Sequence, residues 1–155
     1  MTFQIHALPA EPFQDLFHMP DDTLRQHRAC RVTADAAPGY PCRVSLEDAK
    51  VGEELLLVNY QHLTGASPYA ASHAIYVRKG VQQAYPAPDQ VPQVLSRRLL
   101  SVRGFDAQGL MQDADVVDGM VLDTKLVQMF GNPAISFIDI HNAKQGCFAA
   151  KATRA

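Results

Sequence analysis

Apolar and polar residues alternate through most of this chain, and the alternation predicts strands. From Ala29 to Ala34, Cys30, Val32 and Ala34 fall on one side and Arg31 and Thr33 on the other, a strand with one wet face. Phe3–Leu8 reads as a first short strand, stopped by Pro9 and Pro12. Glu54–Leu63 is the clearest strand. Leu55, Leu56, Leu57 and Val58 are apolar on both faces, which places that half centrally in a sheet. Its second half, Asn59, Tyr60, Gln61 and His62, is polar on both faces; it either runs into a cleft or emerges into solvent. Ser72–Lys79 reads as a further strand. Arg97–Asp106 and Leu110–Val117 flank the turn residues Ala107-Gln108-Gly109 and make a hairpin. Ile135–His141 and Cys147–Thr153 make another.

Helical spacing is rarer. Val121, Leu122, Lys125, Leu126, Met129 and Phe130 share a 3.6-residue period, with Asp118 to cap them and Gly131-Asn132-Pro133 to stop them. Residues 13–18 and 21–28 suit short helices, the second capped by Asp21 or Asp22. Ala37–Pro41 is a rigid turn, and Val81–Pro92 a surface loop. The expected fold is α+β: a mostly antiparallel or mixed, curled sheet of seven or eight strands with one main helix packed on it. Leu56, Val58, Ile75, Leu100, Val102, Leu126, Phe130 and Ile138 are the expected core.

The bulk composition agrees with one globular domain over residues 1–155. A hydrophobic fraction of 47% with 19% charged residues is too apolar for disorder. A formal net charge of -2 argues against a nucleic-acid partner, which needs a concentrated basic surface. Arg97, Arg98 and Arg103 form the one basic cluster, and alternation sets Arg98 on the face opposite the other two. No stretch approaches the ~20 apolar residues of a membrane helix, and the N-terminus lacks a signal peptide's pattern. Three cysteines without close spacing fit reduced thiols and a cytoplasmic location.

Candidate chemistry gathers at turns and strand ends. Cys42 beside Arg43 is either an activated nucleophile or a small buried hydrophobe. Tyr69 and His73 either line a ligand pocket or anchor a loop. In the last hairpin, a three-residue loop ending in Gly146 pairs Ala143 with Cys147 and puts His141 on the same face as Cys147. A shorter loop pairs Asn142 with Cys147 and turns His141 away; Gly146 favours the first. Six histidines are present, but none forms a metal-binding motif. A site from His62, His73 and a carboxylate such as Asp139 would rest on the fold alone, so neither metal nor cofactor is expected.

Three blocks, PCRVSLEDAKVGEELLLVNY, SPYAASHAIYVRKG and HNAKQGCF, resemble the bacterial domain-of-unknown-function family 1203 over nearly the whole chain. The resemblance implies no activity. It implies that Pro41, Cys42, Arg43, Tyr60, Pro68, Tyr69, Asn142, Gly146 and Cys147 belong to recurring blocks. It also implies Gly-Pro where this chain has His73-Ala74, which counts against a family-wide role for His73.

These readings favour a non-catalytic module that binds a small molecule or a protein partner. Its candidate residues are Cys42, Arg43, Tyr60, His62, Tyr69, His73, Asn142 and Cys147. The alternative is a small thiol-dependent hydrolase or transferase using Cys42 or Cys147 with a histidine. A homodimer through a sheet edge is the third reading. Cys42, Arg43, Tyr69 and Cys147 are expected to meet at the polar end of Glu54–Leu63.

Overall fold

The computed structural model describes residues 2–155. It is α+β, with eight strands in two antiparallel sheets rather than one continuous sheet. The larger sheet comprises β1 (Phe3–His6), β5 (Leu99–Phe105), β6 (Met111–Asp118), β7 (Phe137–Asn142) and β8 (Phe148–Arg154), in the order β1-β8-β7-β5-β6. The smaller comprises β2 (Ala29–Thr33), β3 (Glu54–Leu63) and β4 (Ala71–Arg78), with β3 in the middle. Every strand pairing is antiparallel, through hairpins such as β5–β6 and β7–β8 and through the long-range pair β1–β8.

Helices are short: α1 (Glu11–Gln14), α2 (Asp21–Gln26), α3 (Gln93–Ser96) and α4 (Leu122–Phe130), the longest at nine residues. Asp118 accepts the Met120 N–H at 2.8 Å, capping a 3-10 turn that leads into α4. The expected cap of α2 is not Asp21 or Asp22. Pro20, with its fixed φ and extended ψ, takes the cap position, and the Asp21 carboxylate instead meets Arg31 at 2.8 Å.

The expected core residues are all buried, but they form two cores. Leu100, Val102 and Ile138 of the larger sheet pack with Leu126 and Phe130 of α4. Leu56, Val58 and Ile75 of the smaller sheet pack with Phe13, Leu16 and Leu24 from the α1–α2 region. Separate cores follow from separate sheets, since each must cover its own apolar face. Along β7, Ile138 and Ile140 join the α4 core, so strand alternation turns Asp139 and His141 the other way.

Three bulges interrupt the pairing, one at Gln112 in the β5–β6 hairpin and two beside the site described below. His62 is an extra residue in β3, between Gln61 opposite Ser72 and Leu63 opposite Ala71. Ala149 is an extra residue in β8, between Ala150 opposite Ile140 and Phe148 opposite His141. A bulge bends its strand and re-aims the neighbouring side chains.

Arg97 and Arg98 do not alternate, because residues 97 and 98 precede β5. Both guanidinium groups reach the Asp48 carboxylate, at 3.2 Å and 2.5 Å.

Candidate functional site: a buried arginine and a histidine cluster

The Pro41–Arg43 segment is tied down by backbone. Arg43 N–H donates to the Tyr76 carbonyl at 3.0 Å, and Leu8 N–H donates to the Arg43 carbonyl at 2.9 Å. These bonds drive the Arg43 side chain inward, leaving only 2% of the residue exposed. Its Nε donates to the Phe148 carbonyl at 2.7 Å, its Nη1 to the Pro41 carbonyl at 2.5 Å and its Nη2 to Cys147 Sγ at 3.0 Å. No carboxylate among the described residues bridges to it. Burial pulls the guanidinium below its usual value, and the Cys147 sulfur opposes that pull.

Asn142 lies across from Cys147. Asn142 N–H donates to the Cys147 carbonyl at 2.9 Å, and Gly146 N–H donates to the Asn142 carbonyl at 2.8 Å. The turn therefore spans four residues, Ala143 to Gly146, with Gly146 at φ +75°. The expected Ala143–Cys147 pairing is overturned, and with it the shared face of His141 and Cys147. His141 stands opposite Phe148 instead. Asn142 Nδ2 approaches Cys147 Sγ at 3.7 Å.

Arg43, Leu57, His73, Tyr76, Asn142 and Cys147 wall a cleft of about 370 Å³. Two larger clefts, of about 560 and 650 Å³, contain none of the eight candidate residues. Cys42 is 1% exposed and accepts the Ser45 and Arg78 N–H groups at 3.4 and 3.3 Å. It is the small buried thiol of the two readings.

The four residues expected at the polar end of β3 do not all meet there. Arg43 and Cys147 touch, but beside Leu57 and Tyr76, midway along β3 and β4. Tyr69 packs on Phe105 instead, with ring centroids 5.8 Å apart. The reason is the loop before β4: Ser67 Oγ donates to the Gly109 carbonyl at 2.6 Å, drawing that loop onto the β5–β6 hairpin. Tyr60, half-buried, packs against Phe13 at 5.8 Å, at the margin of the smaller core.

A second convergence involves three histidines. His62, His73 and His141 each present a nitrogen within 4.8 Å of the others. His62 and His73 stack at 4.8 Å between centroids, with His141 edge-on to both and Phe148 on the other face of His62. The His62 Nδ1 lies 3.2 Å from Asp139 Oδ2, and the His141 Nδ1 lies 3.1 Å from the Gly146 carbonyl. Asp139 is fully buried and also takes Lys151 Nζ at 2.7 Å. Desolvation pushes its carboxyl up, but His62 and Lys151 outweigh that and hold it below the usual range. Burial, reinforced by Arg103, drives His141 down to about 3, and burial lowers His73 as well. Both rings are therefore neutral at pH 7.

Spacing alone did not show this cluster. The sequence reading weighed His62 with His73 and Asp139; His141 joins them, and Asp139 stands behind His62.

The profile of a family described as "Protein of unknown function (DUF1203)" matches residues 39–154. No curated protein and no solved structure matches the chain. Among the described residues, no helix is long and apolar enough to cross a membrane.

Proposed function

The chain belongs to the DUF1203 family of proteins of unknown function, and from its cleft we propose that it is a non-catalytic module binding a small molecule that carries an anionic group. The observation behind this reading is Arg43. A guanidinium that is 2% exposed, with two carbonyls and a thiol for partners, has no compensating carboxylate among the described residues. Burying such a charge costs several kcal/mol unless an opposite charge meets it. The adjoining cleft is where that charge can arrive. Its Leu57 and Tyr76 surfaces suit an apolar body, and Asn142 and His73 offer polar contacts.

The thiol-enzyme reading is weaker on the same geometry. Cys147 Sγ is met by Arg43 and Asn142, and Cys42 Sγ by backbone N–H groups, so neither sulfur is given a histidine base.

The test is a thermal-shift screen of small carboxylates, phosphates and their neutral analogues against the metal-free chain. A ligand at 100 times its Kd stabilises by about 2.7 kcal/mol. Anions should raise Tm where their neutral analogues do not, and Asn142→Ala should weaken the effect. Equal shifts by both classes, or turnover that is lost in Cys147→Ala, would overturn the proposal.

A further inference from the structure

We infer that His62, His73 and His141 form a binding site for one divalent transition-metal ion of the zinc class. The inference stands apart from the anion reading of the cleft, although His73 belongs to both. It starts from an excess of buried, unpartnered nitrogen. His62 Nε2, His141 Nε2 and His73 Nδ1 are all enclosed and lack a hydrogen-bond partner. The His62 side chain is 2% exposed and His141 is fully buried. A single orphaned polar group in such surroundings is destabilising, because its lost hydration is not replaced. Three such rings, each with a nitrogen within 4.8 Å of the other two, call for a shared occupant.

The far side of each of two rings is already arranged for a metal ligand. A ligating histidine donates its other ring N–H to a carboxylate or a backbone carbonyl, which fixes the tautomer and leaves a lone pair for the ion. Here Asp139 Oδ2 stands at 3.2 Å from His62 Nδ1, and the Gly146 carbonyl at 3.1 Å from His141 Nδ1. Both assignments leave Nε2 as the inward lone pair, the atom found orphaned in each ring. Neutral imidazoles are the form that binds metal, and an all-nitrogen set suits zinc, copper or nickel better than magnesium or calcium.

Nitrogens bound tetrahedrally at ~2.1 Å lie about 3.4 Å apart. The rings therefore draw together on binding, and His73 turns out of its stack on His62. Three protein ligands leave a fourth position open, and His73 places it next to the cleft.

The experiment is zinc titration of chelator-stripped chain against a chromophoric chelator, with X-ray absorption on the loaded wild type. The expected result is one zinc per chain, nitrogen scatterers at about 2.0–2.1 Å with imidazole outer shells, and loss of uptake in His73→Phe. Asp139→Asn should weaken binding by about 10–100-fold. Zinc uptake that survives in folded His73→Phe, or a sulfur scatterer near 2.3 Å, would overturn the site. So would a folded wild type that takes up no zinc. The absorption spectrum decides the question if His73→Phe does not fold. If no zinc binds, the stacked rings are packing alone, and a phenylalanine at 73 is neutral or stabilising. Anion shifts in the metal-free chain are scored separately, so either proposal can fail without the other.

Discussion

Arg43 and Arg78 meet around the same Pro41–Glu47 segment, yet their surroundings are opposite. Arg78 sits at an outer lip. It holds Glu53 through two nitrogens at 2.8 and 2.7 Å, and it reaches Glu47 at 3.1 Å and Ser45 at 3.2 Å. The hydrogen bond to Glu53 raises its pKa, and in turn holds Glu53 low. Arg43 sits in the inner seam with carbonyls and a sulfur, and burial lowers its pKa. Lip and seam each carry one guanidinium, but only the lip carries the matching anions. A protein that compensates one arginine so fully can leave the other open only at a cost, and a bound anion offsets that cost.

The sharpest way to break this contrast is to remove each arginine. Arg43→Ala strips donors from the Phe148 and Pro41 carbonyls and opens a cavity, losses that outweigh the relieved charge burial, and it should cost about 3–5 kcal/mol. A denaturant midpoint close to wild type would show that the Arg43 bonds to the Phe148 and Pro41 carbonyls carry no net stability. Leu126→Ala sets the scale for a purely apolar loss beneath the larger sheet, at about 2–5 kcal/mol by the same measurement. No shift there would mean that α4 is not docked through Leu126.

Acid separates the two regions without mutation. His141 has a folded pKa near 3, against ~6.5 when unfolded. The unfolded chain therefore binds the extra proton between those values. The stability that this ring contributes is complete above ~6.5 and is lost as pH falls, by up to about 1.4 kcal/mol per pH unit. Asp139 is also depressed and adds to the loss only below its unfolded value of ~3.9. Glu53 at the lip behaves likewise below ~4.3. Urea midpoints of the metal-free chain should therefore drop from pH 7 to 5, and His141→Asn should flatten the drop. A pH-independent midpoint over that range contradicts a neutral, buried His141.

The smallest effect belongs to the lip. Arg78→Ala should cost about 1 kcal/mol or less, as partly exposed ion pairs do, and the cost should shrink in 1 M salt. A loss equal to that of Arg43→Ala would erase the distinction.

The sequence revealed the strands more readily than it did the site. All eight strands could be read because strict alternation or doubly apolar runs mark them, and Leu126 and Phe130 were legible from helical spacing. The division into two sheets was not, because a run such as Leu55–Val58 reads the same in either. Histidine convergence was illegible for a related reason. Alternation assigns faces only while each residue has a partner, and His62 and Ala149 have none. The bulge beside Phe148 also decides which face His141 takes, so a loop length argued from Gly146 alone led to the wrong pairing. Cys147 was expected near Arg43 and touches it, though midway along β3 rather than at its polar end, and Asn142 was named as a candidate only through the family resemblance.

The bulges carry a further consequence for local motion. A residue without a partner breaks the continuity of its ladder, and amides at such breaks exchange with solvent through small openings that leave the rest of the sheet intact. In deuterium exchange, the His62 and Ala149 amides should label faster than those of Leu56 or Ile140, residues that each have a partner on both sides. The three-histidine pocket would then breathe on a shorter clock than the cores that flank it.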